Sequence, residues 1–304
     1  MIPLPERGLS DLHRHLDGSM RPGTLQELAH ERGLRVPADL PFQPGMGLAA
    51  ALARFAFTLS CLDTPDAVRR VASEMCEDAA AHGVETLEVR FAPQLHGPPL
   101  AQMVDAALTG LAGRAGLILC GLYGEDPQVL DRLVDCASTR PGVVGIDLAG
   151  GPGPDQRWAL ADYAAPFARA RALGLGRTVH AAEGRPPHEI RTAIEDLHAQ
   201  RIGHGTTLLR DPAVTELVLQ RGVVIEACVT SNWQVGAIAR PEDHDLPRWL
   251  ARGIRVAVCC DNTLLSANDA QSELALVAAL PGMTPARIDA VLETGRDGAF
   301  RISG

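Results

Sequence analysis

Short runs rich in β-branched and other apolar residues recur along the chain, each too short for a helix. They cover residues 9–13, 86–91, 117–123, 143–148, 177–180, 201–203, 223–228 and 255–260, and their length and composition predict buried strands. Between them the apolar positions fall at helical spacing, as in 24–32, 66–82, 100–113, 127–137, 156–173, 188–199, 212–220 and 247–252, with two further stretches at 270–280 and 285–292. Gly83 supplies a stop signal after the second of these helices. Alternation of strand and helix implies a parallel sheet. Eight such units predict a closed (β/α)8 barrel, and 304 residues suit one such domain, residues 1–304. A doubly wound open sheet is the competing architecture, but it often carries a glycine-rich turn after its first strand. Here that strand runs into His13-Arg14-His15. Residues 36–47, rich in Pro and Gly, read as a loop on the side where barrel active sites lie, part of a lid.

Composition narrows the function classes. A net charge of −9 without a basic stripe argues against nucleic acid or a membrane surface as partner. No stretch approaches the roughly 20 apolar residues needed to span a membrane, and the first residues lack an apolar signal core. The seven cysteines show no CxxC spacing and sit mostly in apolar runs, so they read as reduced thiols of a cytoplasmic protein. The sequence leaves the oligomeric state open.

The chemistry-bearing residues cluster at predicted strand ends. His13 and His15 occupy i and i+2 of one strand, which places both imidazoles on one face. His180 ends another strand, with Glu183 three residues on and Gly184, Pro186 and Pro187 turning the chain behind it. His204 is flanked by Gly203 and Gly205, and Asp261 follows an apolar run. Three imidazoles and one carboxylate suit Zn2+, with Fe2+ or Mn2+ as alternatives. Zinc with an open position lowers the pKa of water to about 7 and so yields a nucleophile at neutral pH. Glu183 and His204 remain as an acid and a base for moving protons.

Taken in order, the segments Leu12-His13-Arg14-His15-Leu16-Asp17-Gly18-Ser19, Val89-Arg90-Phe91-Ala92-Pro93, Asp147-Leu148-Ala149-Gly150, Thr178-Val179-His180-Ala181-Ala182-Glu183, Arg201-Ile202-Gly203-His204-Gly205, Thr230-Ser231-Asn232 and Cys260-Asp261-Asn262 resemble the adenosine deaminase family of metal-dependent hydrolases, over residues 9–274. The resemblance implies a barrel with one zinc ion held by His13, His15, His180 and Asp261. His204 then orients or deprotonates the attacking water, and Glu183 gives a proton to N1 of the purine. It further implies that Asp17 meets the ribose 5′-hydroxyl, that the Gly150 N–H meets N3 and that Asn262 meets N7. The expected activity is hydrolysis of adenosine or 2′-deoxyadenosine to inosine or deoxyinosine and ammonia.

Three departures from the family pattern bear on the substrate: Ala182 where Gly is usual, Gly151-Pro152 where Asp-Glu is usual, and a short region between the first two strands, expected to reduce the lid. The same chemistry on adenine, an N6-substituted adenosine or another 6-aminopurine nucleoside is therefore the alternative. Asp17 argues against free adenine. A nucleotide calls for cations near the 5′ end, where Arg14 and Arg21 lie in sequence. A purine-binding relative without turnover is a third reading, which predicts a missing ligand or a missing glutamate. Neither is missing. The role of His96, just after the second strand, stays open.

Overall fold

The computed structural model describes residues 2–153 and 156–300. Eight parallel strands, β1 (Leu9–His15), β2 (Val84–Phe91), β3 (Gly116–Leu122), β4 (Val143–Ala149), β5 (Gly176–Ala181), β6 (Arg201–His204), β7 (Val224–Ala227) and β8 (Arg255–Val258), pair in sequence order. Each of the eight runs anticipated above is a strand. Just beyond β8, a parallel bridge between Arg14 and Asp261 joins the last strand's end to β1. It carries two bonds of 2.8 Å, Asp261 N–H to the His13 carbonyl and His15 N–H to the Asp261 carbonyl. The result is a (β/α)8 barrel.

The helices that wrap the barrel start where the chain supplies capping chemistry. In α3 (Pro65–Ala81), α5 (Pro127–Ser138), α8 (Pro212–Arg221) and α12 (Pro285–Asp297), proline opens the first turn, and the preceding Thr64, Asp126, Asp211 or Thr284 side chain accepts a backbone N–H. The proline has no N–H to leave unpaired, and the cap satisfies one that would be. The remaining helices include α1 (Pro22–Glu31), α4 (Leu100–Leu111), α6 (Ala164–Ala172), α7 (His188–Glu195), α10 (Leu246–Ala251) and α11 (Ala270–Ala279). No helix among the described residues is long and apolar enough to cross a membrane.

Two helices differ from expectation, and a third is shortened. α2 (Leu48–Cys61) and α9 (Val229–Gln234) stand where the sequence pattern assigned no element. The stretch expected as one helix over 156–173 begins instead as a 3-10 turn at Leu160–Tyr163, because the Asp162 carboxylate accepts the Ala159 N–H at 2.7 Å and starts the turn there. Residues 36–47 are irregular as expected. They dock on the β7 and β8 loops through Phe42 N–H to Leu265, Gly45 N–H to Trp233 and Met46 N–H to Gln234. The lid therefore includes a helix: α2 carries Phe55 to within 6.3 Å, ring to ring, of His15, and Phe42 packs edge-on to Phe55.

Inside the barrel, a buried polar layer lies beneath the C-terminal mouth. Arg90 on β2 donates to Asp147 on β4 at 2.8 Å and to Glu226 on β7 at 2.9 Å. Arg201 on β6 sits 2.7 Å from Glu226 and donates to Glu88 on β2. The Arg201 guanidinium also stacks at 3.6 Å on Phe300, whose ring fills a slot left by Gly145 and Gly176; a Cβ on Gly176 would come within 2.1 Å of that ring.

Candidate metal and catalytic centre

Three imidazoles converge at the mouth. His15 Nε2 lies 3.2 Å from His13 Nε2 and 3.2 Å from His180 Nε2. Their other nitrogens are assigned by the polar layer: His13 Nδ1 donates to Glu226 at 2.6 Å, and His180 Nδ1 donates to Asp147 at 3.1 Å. Donation at Nδ1 leaves a lone pair on the Nε2 of His13 and of His180, and His15 Nε2 lies against both. That arrangement suits a cation held between the rings. Asp261 Oδ1 stands 3.8 Å from His13 Nε2 and 3.6 Å from His15 Nε2. Burial, with neighbouring positive charge, holds His13 and His15 well below the usual histidine range, in the neutral form that binds metals. The donor set thus fits a divalent metal. Cys228 comes near Asp261 and His13 too, but burial pushes its thiol well up and keeps it protonated.

Glu183 and His204, the residues expected to move protons, lie beside this cluster. Glu183 Oε1 is 3.5 Å from His204 Nδ1, and Asn232 on α9 bridges both, its amide nitrogen 2.9 Å from His204 Nδ1 and 3.3 Å from Glu183 Oε1. Burial pushes the Glu183 carboxyl up and lowers His204 to about 3.

The strand ends that present these groups are strained. Ala182, His204 and Asp261 adopt φ of +57°, +70° and +64°. Left-handed backbone costs a non-glycine residue on the order of 1–2 kcal/mol. Ala182 is held there by its N–H to Glu189 at 2.7 Å and by its carbonyl, which accepts from Thr206 Oγ1 at 3.0 Å. The alanine where the family has glycine is accommodated by that clamp, and its methyl packs into the core.

The remaining expected contacts also face the mouth. Gly150 needs its φ of +77°, and a Cβ there would meet nothing within 4 Å, so its backbone is open to a ligand. Gly151 makes room for the lid and for Arg185: a Cβ would come within 2.7 Å of Arg185 Nη1 and 2.8 Å of Leu48 Cδ2. Asn262 gives one amide hydrogen to Asp261 Oδ1 at 2.7 Å and keeps a second. Arg14 and Arg21 are engaged elsewhere, with Asp11 at 2.8 Å and with Asp78 and Glu77.

His96 acquires a place. Its Nδ1 donates to the Leu62 carbonyl at 2.8 Å, and its Nε2 lies 2.9 Å from Asp17 Oδ1. The approach is off the ideal hydrogen-bond line, so proximity and charge hold the pair, and neither atom has another polar partner among the described residues. Glu226, His244 and the part played by Asn232 went unseen in the sequence. For Glu226 the signal was present: a lone acid inside the apolar run Val223-Val224-Ile225-Glu226-Ala227.

The family model for adenosine deaminase matches residues 9–301. The chain belongs to the adenosine deaminase family. It is a hydrolase acting on carbon–nitrogen bonds. The adenosine deaminase of Erwinia tasmaniensis is 34% identical over 96% of this chain and 93% of that one. A probable adenosine deaminase of Dictyostelium discoideum is also 34% identical, over 84% of this chain, which spans only 36% of that longer protein. Among solved structures, an adenine deaminase from Arthrobacter aurescens shares the fold with a TM-score of 0.88 at 22% identity, covering 98% of this chain and 95% of that one. The N6-methyl-AMP deaminase of Arabidopsis thaliana does so with a TM-score of 0.85 at 24% identity, over 98% and 93%.

Proposed function

We propose that this chain, as one catalytic unit, is a zinc-dependent deaminase of adenosine and 2′-deoxyadenosine. The observation that carries the reading is the convergence of three imidazoles, His15 Nε2 lying 3.2 Å from the Nε2 of both His13 and His180, beside a buried Glu183–His204 pair. His13, His15, His180 and Asp261 would hold the metal. When bound, zinc supplies Lewis acidity that ionises water near neutral pH. Glu183, pushed up by burial, holds its proton to higher pH than an exposed glutamate and delivers it to N1. Loss of electron density makes C6 electrophilic, water adds there, and the C6–N6 bond of the tetrahedral adduct breaks to release ammonia. The Gly150 N–H and the free Asn262 amide hydrogen orient the ring at N3 and N7, and Asp17 receives the 5′-hydroxyl. Arg14 and Arg21 are each paired with acids, which favours a nucleoside over a nucleotide.

The test is ammonia release by the zinc-loaded protein on adenosine, 2′-deoxyadenosine, adenine, N6-methyladenosine and AMP. Adenosine turnover with kcat/KM above about 10⁴ M⁻¹s⁻¹ is the expected result. Turnover of another panel member alone would move the substrate while keeping the chemistry. Silence across the panel with metal bound would overturn the reading.

A further inference from the structure

One backbone N–H bears on the protonation of two histidines through the amide that lies between them. Leu246 N–H, at the start of α10, donates to His244 Nδ1 at 3.0 Å. His244 Nδ1 must therefore carry a lone pair. The ring is buried, packed edge-on against Trp249 at 5.0 Å, and burial lowers it to about 3, so it is neutral with its one proton on Nε2. That Nε2–H faces Asn232 Oδ1 at 3.3 Å. The orientation of the Asn232 amide follows: its oxygen points to His244 and its nitrogen to His204 Nδ1, 2.9 Å away, and to Glu183 Oε1. The reversed amide would set an N–H against the His244 Nε2–H, a donor facing a donor. His204 Nδ1 is thus an acceptor, and the remaining proton of its ring sits on Nε2, toward the cluster formed with His13 and His180, whose ring centroids are each 5.0 Å from its own.

We infer that the relay Leu246 N–H, His244, Asn232 fixes His204 as the Nε2–H tautomer, so that His204 serves the reaction as a hydrogen-bond donor and not as the general base or a metal ligand. An imidazole with its Nδ1 lone pair engaged and its Nε2 protonated has no lone pair to offer at the mouth. Its N–H can hold and orient an oxygen there, and it can stabilise negative charge developing on that oxygen. Glu183, held by the same Asn232 amide, starts with its proton, and only after passing it to N1 can it take one back. His244 touches neither the substrate nor the imidazole cluster, and it acts as a positioning residue. This inference rests on the reading of the site as a hydrolytic centre, and it does not depend on which purine is the substrate.

The experiment is long-range 1H–15N correlation of the histidine rings in the zinc-loaded protein, with His204 assigned from the loss of its signals in His204→Ala. The expected pattern is a protonated, pyrrole-type shift at Nε2 and a pyridine-type shift at Nδ1, for His204 and for His244 alike. A proton on Nδ1 of His204 in the resting enzyme overturns the inference. The relay is tested with His244→Phe, which removes the donor to Asn232. It should mix the His204 tautomers and lower kcat about ten- to a hundred-fold with KM little changed, the range seen when orienting partners are lost. His244→Gln, which can accept from Leu246 N–H and donate to Asn232, should restore the wild-type tautomer and most of kcat. An unchanged tautomer in His244→Phe would sink the relay. The expected tautomers in a protein that leaves adenosine untouched would preserve the inference and defeat the substrate assignment instead.

Discussion

Replacing Glu226 by leucine tests whether the polar layer inside the barrel sets the metal site. The carboxylate makes four contacts: His13 Nδ1 at 2.6 Å and Arg90 Nη2 at 2.9 Å on Oε2, and Arg201 Nε at 2.7 Å and Thr178 Oγ1 at 2.9 Å on Oε1. Leucine removes them all. Arg90 keeps Asp147 and the Leu12 carbonyl, and Arg201 keeps Glu88 and the Gly298 carbonyl. Even so, two buried guanidiniums lose one of the acids between them, a loss that typically costs about 3–5 kcal/mol. For a domain of this size that amounts to a fall in Tm of about 5–15 °C. His13 Nδ1–H loses its acceptor, so the ring is free to turn or to move its proton to Nε2, and metal affinity should fall about 10- to 100-fold. Glu226→Gln separates the two effects. With the amide oxygen toward His13 and Arg90, its nitrogen meets only Arg201 and Thr178, and the threonine hydroxyl can turn to accept. Glutamine should therefore lose stability but hold metal affinity within a few-fold. The measurements are denaturant unfolding of the metal-free protein and competition for zinc with a chromophoric chelator. Wild-type zinc affinity in Glu226→Leu would refute the claim that this carboxylate orients His13.

Glu183→Gln should keep zinc and nucleoside binding while kcat falls about 10²- to 10⁴-fold, as measured by single-turnover kinetics; a kcat near wild type would remove Glu183 from the acid role. Asp17→Ala should damage kcat/KM for adenosine far more than for adenine. His96→Phe should follow it on adenosine by about ten-fold while leaving 5′-deoxyadenosine unaffected, because that analogue lacks the hydroxyl that the Asp17–His96 pair would engage; equal losses on both analogues would detach the pair from the sugar. Glu273 on α11, pushed up from 4.5 to about 7 chiefly by burial, holds its proton more tightly in the folded than in the unfolded chain. Its contribution to stability is therefore fully present below pH 4.5 and lost as pH rises toward 7, by about 3 kcal/mol in all. Glu273→Gln should flatten the stability–pH curve over that window, and an identical slope in variant and wild type would count against the shift.

The barrel was legible because its strands are apolar runs too short to be anything else, and because a histidine or aspartate at a strand end is an abrupt change of chemistry. α2 was not legible. The stretch Leu48-Ala49-Ala50-Ala51-Leu52-Ala53-Arg54-Phe55 has no polar face at helical spacing, and of all the residues of α2 only Ala51, Thr58 and Cys61 are buried. α9 has six residues and follows β7 after a single Cys228, so no periodicity could develop. Asp147 and Arg90 fell inside recognisable motifs, but their roles come from partners on other strands, up to 136 residues away in the case of Arg90 with Glu226. His244 is a single histidine in a polar loop, and only the position of Leu246 N–H gives it meaning. What escaped the sequence is consistently the supporting layer, whose residues act through long-range contacts and carry no spacing of their own.

That layer also explains why strain gathers where it does. Asp261 is both a member of the proposed metal cluster and the residue whose backbone bridges the end of β8 to β1, through bonds to His13 and His15. At φ +64° it departs from strand geometry at the point where the seam between first and last strands is joined. His204 at +70° and Ala182 at +57° do the same at the ends of β6 and β5. In each case the turn out of the strand brings a side chain, or its near neighbour Glu183, across the mouth instead of along the sheet. Regular strand backbone would point alternate side chains into the barrel or away from it, and would leave no group overhanging the centre. A non-glycine residue keeps such a conformation only where its surroundings over-determine it. Here the surroundings are the Glu189–Thr206 clamp on Ala182, the Asn232–His244 relay on His204 and the seam itself on Asp261. Closing the barrel and assembling the centre are, through Asp261, one structural event.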